Sequence, residues 1–242
     1  MNTEPPEPDA TVPPSRGRRL LSRFYAPDSY GLVVLLILLT YVVSVSVEAE
    51  WGASLVVVVQ VATVWFALKT SRARRSARLV ADALLVLASA VAILAPSLDT
   101  ARGTSNFVLA ASVVLYLIAP LAIVQNLIRR PNVDGETFLG AIAAYLLIGM
   151  LFAFSYRLTG QLQDASFFGS GGDGTTAQTL FFSFTTLTTT GYGNLVPASN
   201  PGQTMAVGEM LLGQLFLATA IAKVITAWTP KRRAQREGSS EG

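Results

Sequence analysis

Apolar residues are gathered along the chain into long blocks separated by short polar links. Six blocks are long: 31–47, 51–68, 79–95, 107–128, 138–156 and 204–228. As a helix the shortest would cover about 26 Å at ~1.5 Å per residue, marginal but adequate with its flanks against a hydrocarbon core about 30 Å thick. Six membrane-spanning helices are therefore predicted. A seventh apolar run, 177–187, is too short to cross and is predicted to be re-entrant. Ahead of these blocks, residues 1–14 hold Pro5, Pro6, Pro8, Pro13 and Pro14 among Glu4, Glu7 and Asp9. Such a stretch buries little and predicts a disordered tail.

Composition sharpens the picture. Of 242 residues, 51% are hydrophobic and 14% charged, and the mean hydropathy is +0.48, which is the composition of a membrane protein. The chain holds no Cys and no His, so thiolate catalysis, imidazole acid–base chemistry, Cys/His zinc sites and disulfides are excluded. No enzyme and no organic cofactor is expected. The net charge of +3 comes from short basic clusters beside the apolar blocks, as membrane flanks do, and implies no nucleic-acid partner.

Those clusters also orient the chain. With the amino terminus in the cytoplasm, the inner links hold Arg16, Arg18, Arg19 and Arg23, then Lys69, Arg72, Arg74, Arg75 and Arg78, then Arg129 and Arg130, then Lys231, Arg232, Arg233 and Arg236. The other three cations are Arg102 and Arg157 in outer segments and Lys223 inside the last block. Basic residues favour the cytoplasmic side, so both termini are expected there, in a multi-pass protein of the cell membrane. Val47-Glu48-Ala49-Glu50 is a poor signal-peptide cleavage site, so the first helix is expected to be retained. The basic link also suits anionic lipid headgroups, at Arg72, Arg74, Arg75 and Arg78.

Between the last two blocks the chain reads Thr179-Leu-Phe-Phe-Ser-Phe-Thr-Thr-Leu-Thr188, then Thr189-Thr190-Gly191-Tyr192-Gly193-Asn194, then Leu195-Val196-Pro197. This resembles the pore loop of potassium channels, whose filter signature is Thr-Val-Gly-Tyr-Gly behind a short pore helix and between two spanning helices. The likeness covers roughly 138–228, and the six-span layout resembles the wider family of voltage-gated-like tetrameric cation channels. It implies an all-α membrane protein with six transmembrane helices, a re-entrant pore helix and a filter loop, assembled as a homotetramer. The implied division is a cytoplasmic amino-terminal segment at 1–30, a four-helix sensor-like domain at 31–130, a pore domain at 131–228 and a short cytoplasmic tail at 229–242.

The same residues carry a physical argument. A potassium ion entering the membrane gives up its water, which is tolerable where oxygen dipoles replace the hydration shell. Backbone carbonyls can do this when alternate residues adopt unusual backbone conformations, which Gly191 and Gly193 permit at little steric cost. Potassium is thus expected at Thr189, Thr190, Gly191 and Tyr192, with Gly193 completing the filter and the Thr189 hydroxyl at the inner mouth. Tyr192 is expected to point outward against a cuff of Phe181 and Phe182. One filter segment cannot surround an ion, so four chains should converge. The pore helix, 177–188, would aim its partly negative carboxyl end at the cavity, and 169–174 is a flexible outer connection.

Departures from the family pattern are specific. Thr190 replaces the usual Val, and its hydroxyl is expected to find a partner in the pore-helix packing. Asn194 replaces the usual Asp, and Thr185 stands where some relatives carry its carboxylate partner. Filter support is therefore expected from neutral hydrogen bonds. In the last block, Gly213 falls at the family's hinge position, and Gln214, Leu217, Ala218, Ile221 and Ile225 share one face at 100° per residue, assigned to the cavity and gate. The plainer reading of Gly208 and Gly213 is close helix packing. Glu209 lies about 140° from that face and is expected to look toward the pore helix, whereas Lys223 should snorkel to the cytoplasmic end.

Block 107–128 contains no Lys or Arg, and Pro120, Gln125 and Asn126 would interrupt or polarise it. A voltage sensor needs several charges there, since one charge contributes only about 2.3 kcal/mol per 100 mV. Asp82, at the inner end of the third block, is expected to cap it or pair with Arg78. The fourteen residues after Trp228 are too few for a ligand-binding module. The sequence thus implies potassium-selective passive permeation without voltage gating. A weakly selective cation channel is the alternative that Thr190 and Asn194 leave open. A secondary transporter would show internal repeats, and no second Thr-Gly-Tyr-Gly stretch exists.

Overall fold

The computed structural model describes residues 30–46, 50–71, 79, 82, 83, 86, 101–130 and 134–228. Among them the secondary structure is helical: α1 Tyr30–Ser46, α2 Glu50–Thr70, α3 Ala101–Arg129, α4 Gly135–Leu162, a short 3-10 turn Gly169–Gly171, α5 Thr176–Leu187 and α6 Asn200–Trp228. Five of the six long blocks and the short run appear as helices, most with ends extended by one to six residues. The rest of the third block, the tails at 1–14 and 229–242, and the headgroup residues Arg72, Arg74, Arg75 and Arg78 lie outside the described residues, as does the expected Asp82–Arg78 pairing. Segments Asn106–Arg129, Gly135–Leu162 and Asn200–Lys223 are long and apolar enough to cross a membrane.

Expectation and structure differ at Pro120. The proline lies inside α3, yet the helix runs without a break to Arg129. A proline in a helix removes one hydrogen bond to the carbonyl four residues back, but packing against neighbouring segments holds such helices together in membranes. Here Tyr116, Ala119 and Ile123 are fully buried around it. Asn126 is polar as expected, and its amide donates to the Tyr30 hydroxyl at 2.7 Å, tying α3 to α1.

α4 is the central strut. It packs against α1, α3, α5 and α6, and one continuous apolar core joins Val33 and Ile37 of α1, Leu68 of α2, Leu115 and Ile123 of α3, Leu147 and Met150 of α4, and Leu180 of α5. Its start is set by Asp134, whose carboxylate accepts from the Thr137 amide at 2.9 Å and the Thr137 hydroxyl at 2.7 Å. These bonds, the hydroxyl's foremost, hold the Asp134 carboxyl below its ordinary pKa. A lowered folded-state pKa gives stability that is complete above the unfolded value and lost as pH falls through the folded one. Asp134→Ala is expected to cost about 1 kcal/mol at neutral pH, and the gap to wild type should narrow in acid, as read by thermal unfolding in detergent.

α5 begins with a reciprocal cap. Thr175 accepts from the Gln178 amide at 3.2 Å while the Gln178 side chain accepts from the Thr175 amide at 2.8 Å, satisfying two donors that a helix start would leave unpaired. Before it, the 169–174 connection is tied down: the Phe167 amide donates to Asp173 at 2.9 Å and the Phe168 amide to the Gly172 carbonyl at 2.9 Å. The short helix is thus clamped at its entry, with its carboxyl end aimed into the loop that follows.

Candidate functional site

The chain after α5 is built from the carboxyl end of that helix. The Thr185 carbonyl accepts from the amides of Thr190 at 2.8 Å and Gly191 at 3.1 Å, and the Thr186 carbonyl accepts from Thr189 at 2.9 Å. Backbone φ is positive at Thr189 (+57°), Gly191 (+53°) and Gly193 (+77°), and not at Thr190 or Tyr192. That alternation turns successive carbonyls toward a common side, which an ordinary strand does not do. Glycine adopts it freely. Thr189 does not, at a cost of about 1–2 kcal/mol, and its hydroxyl is fixed on both sides: it donates to the Thr188 carbonyl at 2.7 Å and accepts from the Gln214 amide at 3.2 Å.

The cuff residues separate. Phe181 stacks on Tyr192, ring centroids 5.7 Å apart and planes 15° from parallel. Phe182 instead meets Tyr156, Phe167 and Phe168 in an aromatic cluster behind α5. Consecutive helical residues point about 100° apart, so the two rings serve different neighbours. Phe181→Ala is expected to loosen Tyr192 with little loss of fold stability, read as altered ion permeation at an unchanged thermal midpoint.

The Thr190 hydroxyl pairs with that of Thr188 at 2.9 Å, at the end of the short helix. Thr185 turns its hydroxyl back onto the Phe182 carbonyl at 3.0 Å, while Asn194 is exposed, so the structure does not join these two side chains. The return to α6 is pinned where the Ala198 backbone amide donates to the Phe167 carbonyl at 2.8 Å and the Gln203 side-chain Nε2 donates to the Pro197 carbonyl at 3.0 Å.

On α6, Gly213 is a contact point. A Cβ there would lie 2.5 Å from the Leu187 carbonyl oxygen, whereas one at Gly208 would meet nothing within 4 Å. The helix runs unbroken through Gly213. Gln214 reaches the filter loop through Thr189, and Leu217 and Ile221 are exposed on the same side, as is Ile225. Little of the apolar stretch of α6 is buried, whereas more than half of that of α4 is. Lys223 donates to the Leu127 carbonyl at the end of α3, so its amine is directed at a neighbouring helix.

Glu209 looks toward α5, as its helical angle implies. It is fully buried. The Tyr156 hydroxyl donates to Oε2 at 2.6 Å, and Oε1 lies 2.5 Å from the Ser183 hydroxyl, which is also 2.7 Å from the Gly149 carbonyl. Neither Ser183 nor Tyr156 is marked by the sequence, since both sit on other helices. An ionisable residue inside an apolar block is the signal that the sequence offers.

A short capped helix ending on a loop of alternating backbone hand, between two long apolar helices, is the arrangement of a membrane pore segment, and among the described residues the structure is helical throughout its regular elements. Residues 140–229 match the family model described as "Ion channel", a potassium channel pore-domain family. Neither the curated proteins nor the solved structures yield a match to the chain.

Proposed function

We propose that the chain is a potassium-selective channel in which four copies of 189–193 enclose the ion path. The observation that carries this is the positive φ at Thr189, Gly191 and Gly193 in strict alternation. Dehydrating an ion requires a file of oxygen ligands, and non-helical backbone at membrane depth is tolerated where it lines such a path. α4 is then the outer helix, α5 the pore helix and α6 the inner helix, with Gln214, Leu217 and Ile221 on the cavity wall and Gly213 at its upper end.

Tetramer formation is supported by exposure. Thr188 through Asn194 are exposed in one chain, as is most of α6, while a filter needs ligands from every side. Six spans with both termini cytoplasmic follow from the distribution of Lys and Arg. Permeation is independent of voltage in this reading, because the stretch of α3 from Asn106 to Ile128 has no basic residue. The anionic headgroup role of Arg72, Arg74, Arg75 and Arg78 remains part of the proposal.

Reversal potentials in mixed potassium and sodium gradients, measured on the purified protein in planar bilayers, test the function. The proposal predicts a potential that follows the potassium gradient. Weak discrimination would instead favour the weakly selective cation channel, and coupled, saturating flux a transporter. Filter support without a carboxylate pair predicts currents that change little between neutral and mildly acidic external pH; strong proton-dependent inactivation would contradict it.

A further inference from the structure

The buried cluster behind the filter has one hydrogen-bond contact more than its hydroxyls can supply. Three contacts join four groups: Ser183 Oγ to the Gly149 carbonyl oxygen at 2.7 Å, Ser183 Oγ to Glu209 Oε1 at 2.5 Å, and Tyr156 OH to Glu209 Oε2 at 2.6 Å. Each contact needs a proton. Ser183 and Tyr156 each carry one, the Gly149 carbonyl carries none, and an ionised carboxylate only accepts. The third proton must come from Glu209. Surroundings agree: the contacts to Glu209 among the described residues are hydroxyls and include no cation, and a buried unpaired carboxylate is costly. The arrangement that satisfies every group has the Glu209 acid donating to Ser183, Ser183 donating to the Gly149 carbonyl, and Tyr156 donating to Glu209.

We propose that Glu209 is the positioning residue of the filter, standing as the neutral acid and clamping α5 between α4 and α6. Through Ser183 it holds the helix two residues before Thr185, whose carbonyl accepts the amides of Thr190 and Gly191. The clamp therefore fixes the shelf on which the filter loop rests. Its role in permeation rests on the channel reading above; its protonation does not.

Infrared difference spectra of the full chain in lipid, wild type against Glu209→Gln, test the proton directly. The expected result is a protonated-carboxyl C=O band present in wild type, shifted in heavy water and absent from the variant; carboxylate bands in its place would overturn the proposal. Single-channel recording tests the positioning. Gln keeps one acceptor for Tyr156 and one donor for Ser183, so Glu209→Gln should hold open probability within about twofold of wild type. Glu209→Ala and Ser183→Ala should each lower it about tenfold or more, with single-channel conductance unchanged, since each leaves a buried polar partner unsatisfied. Equal loss in the Gln and Ala variants would overturn the positioning role. A wild-type chain that passes no potassium would sink the channel reading while leaving the infrared result standing.

Discussion

Gly191→Ala is expected to abolish potassium current while leaving the protein folded and inserted. Gly191 has φ +53°, where an L side chain costs about 1–2 kcal/mol. In the proposed tetramer, four copies in one ring raise that to about 4–8 kcal/mol, all of it borne by the conductive arrangement of the loop. A Cβ at this position meets nothing within 4 Å in its own chain, so the helical scaffold is not asked to move. Current per inserted channel should fall at least about a hundredfold, with helix content by circular dichroism and the thermal midpoint close to wild type. Retained potassium-selective current would show that the backbone hand at this site is not what conduction requires.

Gly213→Ala should act on the scaffold instead. A Cβ would lie 2.5 Å from the Leu187 carbonyl oxygen and 2.9 Å from Leu187 Cδ1, and that carbonyl already accepts from the Tyr145 hydroxyl at 3.2 Å. Backbone cannot yield as a side-chain tip can, so α6 must back away from the end of α5. Overpacking of this kind costs about 1–3 kcal/mol per site. It recurs in every copy and also displaces Gln214 from Thr189. The expected outcome is a lower thermal midpoint and partial loss of the assembled species on size-exclusion chromatography, while Gly208→Ala, facing open space, changes neither. A Gly213→Ala protein that assembles normally but gates differently would favour a hinge over close packing.

The elements that the sequence revealed best are those whose cause is local. Length and apolarity place the described long helices to within about six residues at each end, and the Gly-Tyr-Gly spacing marks the loop. The angular position of Glu209 on α6 already turned it away from the cavity face. What escaped was set by neighbours. Thr189 adopts a left-handed backbone because the Thr188 carbonyl and Gln214 brace its hydroxyl, and Gln214 is twenty-five residues away. Phe181 and Phe182 look alike in a string but part company on a helix. Pro120 reads as a breaker until the buried residues around it are known. Ser183 and Tyr156 are ordinary residues in their own segments, and only folding brings them to Glu209.

Oxygen ligands from four chains around one axis are the centre of this account, and a density map of the detergent-purified assembly in potassium examines them most directly. The account predicts fourfold symmetry, with the backbones of Thr189 to Gly193 facing the axis and ion density in file between them. A two-fold assembly, or a map with Tyr192 and its neighbours at the lipid-facing periphery, would contradict it.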